Sequence, residues 1–164
     1  MFYHVTHSSR VPSILEKGLD PERKNPFTIN LNATLERYLR NDPIIVARKK
    51  GVFLYSKRPE DLRNLSDKDY RILEVNIDAT ENTFCAESKH IDPIVKGVIH
   101  LMRGFKYDKS NNNIFLSDNE MRDLITKYQK SWSVWSPTAE KEFNNPEVIH
   151  VAKILPSHIK VLNN

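Results

Sequence analysis

The sequence predicts an α+β domain built on a mixed, mainly antiparallel sheet. Three observations carry this expectation. Strand-forming runs stand at both ends of the chain, and helical spacings fill much of what lies between. The last long apolar run, Pro146 to Pro156, is bounded by prolines and opens on a carboxylate, Glu147. With 164 residues and 39% hydrophobic content, the chain is large enough for one domain with a real core, so residues 1–164 read as a single unit.

Phe2 to Thr6 alternates weakly and reads as a short strand, ending in the polar turn His7-Ser8-Ser9. Val11, Ile14, Leu15 and Leu19 are spaced for one helical face. Pro12 suits the first turn of that helix, Gly18 its C-terminal cap, and Asp20-Pro21 its end. Residues 22–33 show no clear period and read as a loop. Leu35, Tyr38 and Leu39 suggest a short helix that stops before Asp42-Pro43. Ile44-Ile45-Val46 fits a strand or the end of a helix. Arg48-Lys49-Lys50 reads as a solvated basic turn able to touch phosphate, ahead of a strand from Gly51 to Ser56.

Pro59-Glu60-Asp61-Leu62 opens a short helix, and Arg71 to Asp78 reads as a strand. Pro93 to Phe105 reads as a helix with Ile94, Val98, Leu101 and Met102 inward, and Ser110 to Asn113 as a loop. Ser117-Asp118-Asn119-Glu120 is a capping box ahead of Met121, Leu124, Ile125 and Tyr128, a stripe read as core. Trp132 and Trp135 follow in a polar loop. Pro146 cannot donate to a ladder, so the next strand should begin at about Glu147. Ile159 to Leu162 reads as the final strand.

Composition excludes several classes. No apolar run approaches the roughly 20 residues that cross a bilayer, and the N-terminus lacks a signal-peptide pattern, so a cytoplasmic protein without a membrane partner is expected. Cys85 is the only cysteine, which fits a reducing compartment and reads as a small half-buried residue. The net charge of +4 is compatible with an anionic ligand or nucleic acid. His4 and His7, three apart on a strand, point to opposite faces, and no other cluster completes a metal site, so no metal is expected. Only 4 glycines and no phosphate-cradling loop argue against the common nucleotide-loop motifs. Glu140-Lys141-Glu142 offers paired carboxylates but reads as an exposed charged helix or loop edge. Trp132 and Trp135 read either as core or as a stacking surface for a base. By itself, Glu147 reads as a solvated glutamate at a strand end or as a carboxylate held at a cleft.

Three stretches, in order, bear on that choice. Tyr3-His4-Val5-Thr6-His7 followed by Ile14-Leu15-Glu16-Lys17-Gly18-Leu19-Asp20-Pro21 resembles the opening strand, helix and Gly-Leu turn of the ADP-ribosyltransferase superfamily. Gly51-Val52-Phe53-Leu54-Tyr55-Ser56 resembles its second motif, a strand flooring the nicotinamide pocket, and Pro146-Glu147-Val148-Ile149 its catalytic strand. The opening is most similar to that of bacterial toxins that ADP-ribosylate DNA bases. Residues 79–143 match no part of the pattern.

The resemblance implies a split antiparallel sheet with flanking helices. It also implies an NAD-dependent mono-ADP-ribosyltransferase that uses NAD as substrate and no metal, in a bacterial or phage toxin or host-conflict setting with an antitoxin or host target as partner. By position it makes Glu147 catalytic and places His4 and Thr6 of the first strand at NAD, His4 at the adenosine-side ribose. Phe53 stands where the family carries tyrosine, and Tyr55 is placed to compensate for the missing hydroxyl. Asn145 stands where arginine-directed enzymes carry a glutamate, so nucleic acid is expected as acceptor ahead of protein, with Asn145, Trp132 and Trp135 contacting it. The rival expectations are a protein-directed transferase, a catalytically silent nucleotide- or nucleic-acid-binding module, and an RNA 2′-phosphotransferase. Glu147 weighs against the last. Glu147→Gln is expected to leave folding nearly unchanged.

Overall fold

In the computed structural model, which describes residues 1–22, 24–59, 69–79, 82–102, 116–144 and 146–162, the strands form two antiparallel sheets flanked by helices. The chain is α+β, as its sequence predicts. One sheet has the order β1 (Phe2–His7), β3 (Tyr70–Val75), β7 (Ile159–Val161). The other has the order β2 (Val52–Leu54), β6 (Pro146–His150), β4 (Thr83–Glu87), β5 (Ser133–Val134). A bridge between Tyr3 and Tyr55 joins the two sheets, with each amide donating to the other's carbonyl at 2.8 Å.

Helix α1 (Val11–Lys17) carries Pro12 in its first turn and ends at Gly18, as expected. Gly18 has φ of 84° and lies against the backbone of Ile154, so a side chain there meets both strain and a clash. Helix α2 (Pro26–Glu36) replaces the expected loop over 22–33. Asn25 caps it by accepting from the Thr28 amide at 2.7 Å, and Leu31, Asn32 and Leu35 are buried. The apolar period was masked because a polar residue, Asn32, occupies one core position.

Helix α3 (Pro43–Lys50) settles the ambiguity at Ile44–Val46 and corrects the solvated-turn reading of Arg48. Asp42 caps it, accepting from the Ile44 amide at 2.8 Å, and Ile44, Ile45, Ala47 and Arg48 face inward. Gly51 then lets the chain turn against Ile149 and the Ala47 carbonyl, where a Cβ has no room.

Helix α4 (Asp92–Met102) matches the expected start, although Leu101 and Met102 are exposed rather than inward. Residues 103–105 of that expectation, the 110–113 loop and Glu60-Asp61-Leu62 lie outside the described residues. Helix α5 (Asp118–Ser131) carries the full capping box, and α6 (Pro137–Lys141) holds part of the charged edge. Strand β4, within the unassigned stretch, is buried on both faces. Cys85 packs in the core between the sheets and Ala86 in the core under the helices. Cys85 is therefore fully buried, not half-buried.

Successive strand residues face opposite sides. Val148 of β6 accordingly joins Phe2, Leu73, Val75 and Ile154 between the sheets. Glu147, one residue earlier and opposite Ala86, faces the helical side, where Leu35, Ile44, Ile91, Ile125 and Tyr128 form the second core.

Candidate active site

The head of β6 sits centrally in its sheet, between β2 and β4. Glu147 pairs with Ala86 of β4, and the β2 ladder begins at the next residue, Val148; the Glu147 side chain is 15% exposed. Beneath it, Arg48 of α3 has a side chain only 1% exposed. Arg48 Nη1 donates to Glu147 Oε2 and, at 2.7 Å, to the Tyr128 hydroxyl. Its Nε donates to Asn32 Oδ1 at 3.0 Å, and Asn32 Nδ2 donates back to the Arg48 carbonyl at 3.4 Å. Tyr128 of α5 donates its hydroxyl proton to the same Glu147 Oε2.

The protonation states follow from these surroundings. Burial alone lowers the Arg48 pKa, but the charge of Glu147 and the bonds to Glu147 and Tyr128 hold it above its usual value. Burial, then the Glu147 charge, pushes the Tyr128 hydroxyl well up, so it keeps its proton and donates. Both donors converge on Oε2, and Oε1 receives no donor among the described residues. The result is a carboxylate locked in orientation through one oxygen, with the other available.

Glu147 lines a cleft of about 680 Å³ together with His4, Thr6, Phe53 and Tyr55. Five of the residues expected at the site therefore converge. His4 Nδ1 lies 3.0 Å from the Phe53 carbonyl, which only accepts, so Nδ1 carries the proton and Nε2 is left as an acceptor. Burial, with Arg10 adding to it, lowers the His4 pKa against the pull of the Phe53 carbonyl. Tyr55 is raised by burial and by the Glu147 charge.

The Phe53 ring already meets two cations, the Arg48 guanidinium at 5.0 Å and Lys24 Nζ at 5.4 Å from its centroid. Lys24 donates to the Gly51 carbonyl at 2.6 Å, and burial followed by Arg48 repulsion brings its pKa down to about 8. Arg10 and Lys24 line the same cleft as Glu147 and Asp92, so it carries both cationic and anionic side chains.

The tryptophans do not line the cleft, and both are half-buried. Trp132 stacks on Phe84 at 5.6 Å and meets the Tyr128 ring edge-on. Trp135 packs edge-on against Phe2 at 4.9 Å, and its Nε1 donates to Glu140 at 3.1 Å. Asn145 lies outside the described residues.

Sequence reasoning missed Arg48, Asn32 and Tyr128. One signal was present: helix α3 follows Asp42-Pro43 and puts Arg48 at position i+4 from Ile44, on its apolar face. An arginine there needs a buried carboxylate partner. Among the described residues no three His, Cys, Asp or Glu side chains converge as a metal site, and no helix is long and apolar enough to cross a membrane. No family model, curated protein or solved structure matches the chain.

Proposed function

We propose that the protein is an NAD-dependent mono-ADP-ribosyltransferase, with Glu147 as its central catalytic group. The observation that carries this reading is the fixed carboxylate with one uncommitted oxygen, lining a cleft with His4 and Phe53. In the reaction the bond from ribose C1′ to nicotinamide breaks. Its electron pair neutralises the nicotinamide nitrogen, and positive charge builds on the ribose. A preorganised carboxylate stabilises that charge without reorganising as it forms. Glu147 Oε1 suits the ribose 2′-hydroxyl, while Arg48 and Tyr128 hold Oε2. His4 Nε2 suits a hydroxyl of the adenosine-side ribose. Lys24 and Arg10 give the diphosphate cationic partners.

The acceptor then attacks C1′ and releases its proton. Nucleic acid is the acceptor class favoured here, on the net charge of +4 and the absence of a glutamate at position 145. A toxin or phage–host conflict role, acting in a cytosol, fits that acceptor. The test incubates the chain with NAD labelled in its adenylate, in separate protein, DNA and RNA pools. Label in an oligonucleotide pool with equimolar nicotinamide supports the proposal. Label confined to protein moves the acceptor to a side chain, and no nicotinamide release favours a silent binding module.

A further inference from the structure

We propose that Glu87 and Ser131 are positioning residues for Glu147, a role that rests on Glu147 being the catalytic carboxylate. Glu87 ends β4 and is 3% exposed, and charged groups are rarely buried so deeply unless they are paired. The Asn144 amide donates to Glu87 Oε2 at 2.8 Å, and Lys89 Nζ lies 3.5 Å from the same oxygen. Asn144 is on the approach to β6, and the ladder sets Glu87 opposite Pro146 and Ala86 opposite Glu147. Glu87 thereby fixes the segment that delivers Glu147 to the strand head.

The backbone amide of the same residue also ties in the helix that carries Tyr128. The Glu87 amide donates to Ser131 Oγ at 3.0 Å, and Ser131 Oγ donates to the Tyr128 carbonyl at 2.7 Å. Tyr128 in turn donates its hydroxyl to Glu147. Helix α5 ends at Ser131, so this bond pins its last turn to β4. Glu87 is the node where the approach to β6 and the helix carrying Tyr128 are tied together. Loosening it lets the carboxylate and its phenol donor drift apart, although neither is touched.

The experiment measures kcat and KM for nicotinamide release from NAD in wild type, Glu87→Ala, Glu87→Gln, Ser131→Ala, Tyr128→Phe and Ser131→Ala/Tyr128→Phe, each first shown folded by its melting curve. Misplacing a reacting group by about 1 Å costs on the order of 100-fold. Glu87→Ala should therefore lower kcat by about 10–100-fold with KM within about twofold. Glu87→Gln keeps an oxygen for the Asn144 amide and should recover most of the loss. Ser131→Ala should lower kcat less than Glu87→Ala. The double variant should lose less than the product of its two single losses, because one effect runs partly through the other. Unchanged kcat in Glu87→Ala, equal losses in the Ala and Gln variants, or fully multiplicative losses overturn the proposal. A wild type that releases no nicotinamide instead sinks the transferase reading. In that case the Glu147 carboxyl carbon resonance, recorded without NAD, decides the positioning. It should move in Glu87→Ala and stay in Glu87→Gln, and equal shifts overturn the proposal.

Discussion

Neutralising Glu147 should destabilise the fold as well as stop turnover. Its partner Arg48 has a side chain 1% exposed, so Glu147→Gln strands a guanidinium in the core. Removing one member of a buried pair costs about 3–5 kcal/mol. Glutamine still offers an oxygen to Arg48 and Tyr128, which puts the cost near the lower end, about 3 kcal/mol. For a chain of 164 residues each kcal/mol lowers the melting point by about 2–4 °C, so the fall should be roughly 6–12 °C. Arg48→Met strands a carboxylate that is 15% exposed and still bonded to Tyr128, with a similar expected cost. The double variant Arg48→Met/Glu147→Gln leaves no unpaired charge and should be more stable than either single one. Urea unfolding followed by tryptophan fluorescence measures all three. Single variants within about 1 kcal/mol of wild type, or a double variant as unstable as the sum of the two, refute this account of the pair. The buried Arg48 partner is the reason this outcome differs from the nearly unchanged folding expected from the sequence alone.

Other predictions follow from the cleft. His4→Ala should raise the Kd for NAD more than it lowers kcat. Phe53→Tyr should be tolerated, while Phe53→Ala should weaken NAD binding and also remove the ring under Arg48 and Lys24. Calorimetry reporting unchanged affinity in both alanine variants puts the pocket elsewhere. The Lys24 value of about 8 lies below the ordinary 10.5, so between them the unfolded chain binds more protons and stability should rise with pH. Lys24→Met should flatten that part of the urea-midpoint profile, and an identical slope in the variant counts against a depressed Lys24. Trp132→Ala should lower stability by disturbing Phe84 and Tyr128, and an unchanged unfolding midpoint contradicts that packing. Label transferred to an oligonucleotide should fall steeply with added salt, and a flat salt response argues against a polyanionic acceptor.

What the sequence disclosed depended on whether a residue's type matched its surroundings. Pro12 with Gly18, and Ser117 with Glu120, mark helix ends through local hydrogen bonding, and those ends stand where expected. The strand headed by Glu147 was legible because Pro146 and the following apolar residues restrict the backbone locally. Helix α2 was hidden by Asn32, a polar residue facing the core because Arg48 supplies its partner. Strand β4 was hidden because both faces are buried and two positions, Thr83 and Glu87, are polar, which removes the alternation. Among the residues lining the cleft, His4, Phe53 and Glu147 were singled out by their position in the three resembling stretches. Arg48 and Tyr128 were not, because a pairing across 80 or 99 residues of chain leaves no local pattern.

The most direct test of the central claim is nicotinamide release from NAD by wild type and Glu147→Gln, at a temperature where melting curves show both folded. Wild type should release nicotinamide and the variant should lose about 10²–10³-fold, the usual consequence of removing one preorganised transition-state contact. A variant within about threefold of wild type, well under 1 kcal/mol of barrier, contradicts it.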